Sequence, residues 1–397
     1  MKISVNVKYM IVQGLYWMLF CVAMGFVSLY LLDQGCSNAS IGATSAIFGL
    51  ISAVLQPTLG KVCDRSVNVS WKKMAIICGI CFLAVSILLF VFSGKLFSMA
   101  MIGMFIMIAN LIMPFVNSAL FYYENIGEHV NFGIARGIGS GMYAVMALII
   151  GNLAAIYGVK IVPIFGILAA ALFTLSIIVL PYDSNLDNSK TNEDLALNAK
   201  GSDTNNKSNF FTKYPAFIIM IVGFILLQST HTITCNYMLQ IIQNLGGDSG
   251  NLGTTMAIQA VVEVPVLFCF AFLIKKISAS KLMIIASIGY VVKAVLHFAA
   301  GSVSVIYIIQ LAQMVSFAIF ASASVYYTGD IIEEEDRTTG QSVMASCIVM
   351  GNVIGSFVGG VAIDKFGVKE MLIVNMAMAA VGCLIAMVAY MKEEKPV

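Results

Sequence analysis

The sequence predicts an all-α membrane protein whose twelve transmembrane helices form two six-helix bundles. Three observations carry that expectation. Hydrophobic residues make up 60% of the 397 residues and charged residues only 11%, a balance that excludes a soluble globular chain. The apolar residues gather into about twelve runs near the roughly 20 residues a spanning helix requires. One long polar interruption, 182–212, divides those runs six and six. Helix is the only sensible conformation for apolar runs of this length, because a lipid-exposed backbone must satisfy its own hydrogen bonds.

The first run, 9–32, is too long for a secretory leader and lacks a small-residue cleavage pattern, so it counts as a true span. Gln13, Tyr16 and Trp17 stand close together on it. The second, 40–59, leads into the polar segment beginning at Gly60. The third, 74–93, holds Cys78 and Cys81, a CxxC with no His or second pair nearby, and apolar packing explains it. On the fourth, 96–121 and its continuation, Asn110, Asn117 and Glu124 recur every seven residues and share one face. Arg136 lies near the start of the fifth, 134–155, beside Gly137, Gly139 and Gly141, which permit close helix packing. The sixth, 159–181, ends at the polar interruption. That segment is rich in Asn, Asp, Ser and Lys, has no apolar periodicity and reads as a flexible linker.

The second half begins with 214–242, where Gln228, His231, Thr232, Cys235, Asn236 and Gln243 form a polar stripe. Glu263 sits in the middle of the eighth run, 251–274, and Lys293 equally deep in the ninth, 282–299. An ionisable group at such depth costs at least about 2.5–3.5 kcal/mol, so it faces a wet path or a partner. Gln310 and Gln313 lie one turn apart on the tenth, 303–328. Gly351, Gly355 and Gly359 repeat every four residues in the eleventh, 340–362, and read as a packing ladder; the twelfth is 371–391. The expected domains are 1–181, the linker 182–212, and 213–397.

Basic residues set the orientation. With the N-terminus inside, the inner segments collect sixteen Lys and Arg, and the outer loops only Lys95, Lys160, Lys365 and Lys369. Both termini are therefore expected to be cytoplasmic in a multi-pass protein of the cytoplasmic membrane. The net charge of +2 gives no reason to expect nucleic acid. The nine cysteines show no disulfide framework, and no ATP-binding motif, metal cluster or nucleophile–base pair is visible. No enzymatic activity and no cofactor are expected.

The segment Gly60-Lys61-Val62-Cys63-Asp64-Arg65, followed after 66–71 by Lys72-Lys73, resembles the cytoplasmic loop signature of the major facilitator superfamily. The resemblance implies the major facilitator fold and a gating role for Asp64 and Arg65, whose charge-assisted bonds break as the halves rock. Four further segments resemble proton-coupled oligosaccharide symporters and phenylpropionate-permease-like relatives. They are Asn131-Phe-Gly-Ile-Ala-Arg136-Gly-Ile-Gly-Ser140-Gly, His231-Thr-Ile-Thr-Cys-Asn236-Tyr237 with Asn244-Leu-Gly, Glu263-Val-Pro265, and Gly340-Gln341 with the glycine ladder. The sequence departs from that branch where Asn117 stands in place of a fourth-span carboxylate and Lys293 in place of a ninth-span arginine.

Together these readings give a proton-coupled symporter that imports a small organic solute by alternating access, working as a monomer in the bilayer. A sugar or glycoside comes first, then a nucleoside or aromatic acid. An exporter of the same fold and a transporter-like sensor are the rivals. Asn117, Arg136, His231, Asn236, Tyr237, Gln310, Gln313, Tyr16 and Trp17 are the expected substrate contacts, because amide and aromatic groups lining a cavity suit a polar organic molecule. Interhelical hydrogen bonding uses the same residue types. Glu263 and Lys293 are expected to be paired, or to share a wet cavity, and to couple transport to protons.

Overall fold

The structure, a computed structural model, describes residues 4–65, 69–183 and 210–393. All regular structure among them is helical, and twelve helices are long and apolar enough to cross a membrane. Asp64 and Arg65 close the second span, and their side chains lie outside the described residues, as does 184–209 of the linker.

Local chemistry starts these helices where the chain needs them. Ser4, Ser70 and Asn131 accept hydrogen bonds from backbone N–H groups three residues on, at the first, third and fifth spans. Asp248 and Asn251 cap the eighth reciprocally, each bond 3.0 Å. Such side chains satisfy the donors that a first turn leaves orphaned.

The two halves repeat each other. The first span is interrupted at Phe26 (φ −116°, ψ 17°) and the seventh at Tyr237 (φ −111°, ψ 20°), each followed by a helix of seven residues. Those short helices end at Gly35 (φ +73°) and Gly246 (φ +82°), left-handed positions that only glycine takes cheaply. The second member of each pair lies 211 residues after the first. Sequence reading gave 9–32 and 214–242 as unbroken helices. Neither break has a proline.

Within the halves, the first span packs on the fifth and sixth, and the seventh on the eleventh and twelfth. Between the halves, the second span packs against the eleventh and the fifth against the eighth. Glycines let backbones meet at those seams. A Cβ on Gly42 would come within 2.1 Å of the Ser356 carbonyl, and one on Gly253 within 2.3 Å of the Ala147 carbonyl.

The apolar core shows which end of the molecule is closed. At the end opposite the chain termini one core is continuous across both halves, running from Leu31 and Ile41 to Tyr237, Leu239, Leu252 and Met371. Toward the termini the C-terminal half keeps a separate core of its own, with Phe217, Phe224, Leu282, Phe320 and Tyr327. Side chains such as Val54, Ile156 and Phe272 are more than 60% exposed, an apolar surface suited to lipid.

Candidate functional site

Polar side chains converge between the halves at mid-depth. The fifth span brings Arg136 over the Trp17 ring of the first, 3.8 Å from its centroid, and Arg136 Nη1 donates to Ser140 Oγ at 2.8 Å. Trp17 can lie this close because position 139 is glycine: a Cβ there would meet Trp17 Cδ1 at 2.3 Å. Tyr16 is fully buried and packs edge-on to Trp17, ring centroids 5.3 Å apart, while its hydroxyl donates to the Ala109 carbonyl of the fourth span. The guanidinium is thus held flat on an aromatic face, an attractive arrangement worth roughly 0.5–2 kcal/mol.

Glu263 and Lys293 are joined through a third residue. Gln313 Nε2 donates to Glu263 Oε1 at 2.9 Å, and Gln313 Oε1 accepts from Lys293 Nζ. Gln313 stands on a 3-10 turn, Gln310–Gln313, that interrupts the tenth span between Val303–Ile309 and Phe317–Ile331. The ninth span comes close just beyond it: a Cβ on Gly289 would lie 2.5 Å from the Val315 carbonyl. Lys293 is buried at 4% exposure, while Glu263 is half-buried. Arg136 of the N-terminal half and Lys293 both act on Glu263 electrostatically.

His231 stacks on Phe317, centroids 4.6 Å apart, with Cys235 Sγ 3.6 Å from its Nε2. Beside it, Thr230, Thr234, Tyr290, Lys293, Ala294 and Asn375 line a small pocket inside the C-terminal half.

The sequence matches the MFS_1 like family over residues 9–374. The chain belongs to this family. Comparison with curated proteins gives no match. Solved structures similar to this MFS_1 like chain include the nucleoside transporter NupG, with a TM-score of 0.80 at 14% identity over 99% of this chain and 100% of that one. A bacterial homologue of the human lysosomal transporter Spinster, inward-facing and unoccupied, gives 0.72 at 13% identity, covering 98% and 96%. A POT peptide transporter in complex with alafosfalin gives 0.72 at 9% identity, covering 98% and 93%. At these identities the likeness shows the fold. The protein is a membrane transporter of the major facilitator type.

In this MFS_1 like protein the other expected contacts are spread more widely. Asn236 and Tyr237 lie at the seventh-span break, where Asn236 Nδ2 donates to Ser356 Oγ at 2.8 Å and Tyr237 Oη donates to the Ser356 carbonyl. Ser28 Oγ of the first half donates to the Asn236 carbonyl. Gln310 is fully buried, and its Nε2 donates to the Ile306 carbonyl at 3.1 Å. Asn117 is half-buried on the fourth span.

Sequence reasoning missed the latch at the closed end. The Asp364 carboxylate accepts from Asn38 N–H (3.0 Å), Asn38 Nδ2 (2.9 Å) and Ala39 N–H (2.7 Å), and Gln240 Nε2 donates to Asn38 Oδ1 at 2.7 Å. Asp364 follows the glycine ladder directly, so a carboxylate ending a span against glycine-spaced packing was the available signal. Asn375 was also missed, although it stands alone as an amide in an apolar run and is fully buried.

One charged cluster lies outside the spans. Lys213 Nζ meets Glu333 and Asp336, both at 2.8 Å, and Tyr214 Oη donates to Asp336 at 2.9 Å. The bond with Asp336 raises the Lys213 ammonium above the usual lysine range, and the bonds from Lys213 and Tyr214 hold Asp336 below the usual carboxylate range. The Asp336 contribution is therefore lost only as pH falls through its lowered value, and that of Lys213 only as pH rises through its raised one. Both stay ionised near neutrality.

Proposed function

We propose that the protein is a proton-coupled symporter of the cytoplasmic membrane that imports a small polar organic solute, with a sugar or glycoside first and a nucleoside next. The observation that carries this reading is the Glu263–Gln313–Lys293 chain of the C-terminal half, on whose carboxylate Arg136 of the other half acts electrostatically. A carboxylate inside a span, tied through one amide to an ammonium, is suited to binding and releasing a proton. Trp17, Arg136 and His231 offer an aromatic face and hydrogen-bonding groups to a polar ring. Residues 1–181 and 213–397 act as the moving bodies, and Asp64 and Arg65 gate the cytoplasmic side. The solved relatives are named for nucleosides and peptides, so a thermal-shift screen of sugars, nucleosides, peptides and aromatic acids identifies the substrate to use.

Glu263→Gln tests the coupling, because it keeps the shape and an acceptor for Gln313 while removing the titration. In proteoliposomes the variant is expected to exchange the bound solute across the membrane yet fail to accumulate it on a pH gradient. Accumulation with unchanged pH dependence removes Glu263 from the coupling step, and dye efflux lost on gene deletion favours the exporter.

The proposed orientation places both termini and the linker in the cytoplasm. A single cysteine at Ser189 should resist membrane-impermeant maleimide in intact cells and react after permeabilisation. Labelling in intact cells would reverse the topology.

A further inference from the structure

The proposed proton coupling leaves open where the Lys293 ammonium goes when Glu263 binds a proton. Lys293 has two neighbourhoods. On one side is Gln313 Oε1; on the other, its side chain forms one wall of the pocket lined by Thr230, Thr234, Tyr290 and Asn375. Asn375 is fully buried, and neither its Oδ1 nor its Nδ2 has a hydrogen-bond partner. A buried amide without partners is costly and uncommon. In a pocket that already holds an ammonium chain, it is a vacant acceptor.

We propose that Lys293 is a two-position switch, held by Gln313 while Glu263 is ionised and by Asn375 once Glu263 is protonated. The step follows from donor and acceptor counts. A proton taken from water onto Glu263 Oε1 sets an O–H against Gln313 Nε2, donor facing donor. Turning the Gln313 amide lets its oxygen accept the new O–H, but its N–H₂ then faces Lys293 Nζ. The ammonium needs another acceptor, and Asn375 Oδ1 lies in the pocket it already borders. Return of the proton to water reverses each move. Gln313 and Asn375 are thus positioning residues that act through Lys293.

Other groups act on the same centre. Arg136 and Tyr143 of the fifth span, Cys235 of the seventh, and Tyr290 and Lys293 of the ninth all interact electrostatically with Glu263. His231 and His297 do so with Lys293. None of these donates to or accepts from Glu263 as Gln313 does, and Gln313 is where the proton's effect passes to the ninth span.

The inference rests on Glu263 being the proton site, so its test reads the proton directly. The full-length protein in lipid nanodiscs is titrated with acid, and the protonated carboxyl band lost in Glu263→Gln is followed by infrared difference spectroscopy. Asn375→Leu conserves volume and removes an unpartnered amide, so it should melt no lower than the wild type. Its Glu263 band is expected to titrate about one pH unit more acid, an ordinary size for a protein-induced change, because protonation no longer gives Lys293 a second acceptor. In a Gln313→Leu background the same substitution should produce no further change, since the relay is already cut. Asn375→Ala serves if the leucine variant fails to insert.

An unmoved midpoint in Asn375→Leu, or an equal movement in both backgrounds, overturns the switch. Glu263→Gln transport with unchanged pH dependence would instead overturn the coupling reading. A band that titrates normally while Asn375 has no influence sinks the switch alone.

Discussion

Replacing Arg136 by lysine is expected to abolish most transport while the protein still reaches the membrane. The guanidinium lies flat on Trp17 at 3.8 Å and donates to Ser140, and its remaining N–H groups are free to meet a carboxylate or a solute. An ammonium keeps the charge but loses the planar fork and the stacking. Hydrogen bonds to charged groups are worth roughly 1.5–3 kcal/mol, and each ~1.4 kcal/mol is tenfold. Uptake should therefore fall by about tenfold or more, with normal abundance in membrane fractions. Wild-type uptake by Arg136→Lys would refute a role for the guanidinium in the transport cycle.

A glycine at the seam between the halves should have an effect of a different kind from one inside a half. Gly253 meets Ala147 and Gly151 of the other half, whereas Gly355 meets the Ser229 carbonyl of its own half, where a Cβ would lie 2.4 Å away. Overpacking costs about 1–3 kcal/mol. In Gly253→Val that cost falls only on the state in which the seam is shut. The variant should insert normally, lie mostly open at the end opposite the termini, and transport roughly ten- to a hundredfold more slowly, as a bias of that size implies. In Gly355→Val the clash is present in every state, and folded yield should drop. Thiol accessibility along the seam and size-exclusion profiles separate the two. Equal loss of folded protein in both variants would mean that the Gly253 contact is not specific to one state.

The twelve spans were legible because lipid makes a simple demand on sequence, a long apolar run with few charges. The depth of Glu263 and Lys293 was legible for the same reason, since each stands out against its own helix. What joins them was not. Gln313 is one of many amides in these spans, and only the crossing of the eighth, ninth and tenth helices brings it between a carboxylate and an ammonium. The breaks at Phe26, Tyr237 and Gln310–Gln313 were illegible because no proline marks any of them. Gly289 presses on Val315, and Ser28 and Ser356 hold the two sides of the seventh-span break. Asn236 and Tyr237 carry the residue types of a cavity wall, and in this conformation they fasten neighbouring helices together.

Three hydrogen bonds converge on the single carboxylate of Asp364, so the halves cannot part there one bond at a time. In the first turn of the second span Ser37 Oγ accepts from Ser40 N–H at 3.2 Å, and water can serve the Asn38 and Ala39 donors that Asp364 leaves. Once apart, both surfaces are well solvated. A contact that must break as a unit, yet leaves little unsatisfied afterwards, adds more to the barrier than to the difference between the end states. In the proposed transport cycle Asp364 is thus expected to act as a timer, lengthening the closed state without choosing a direction.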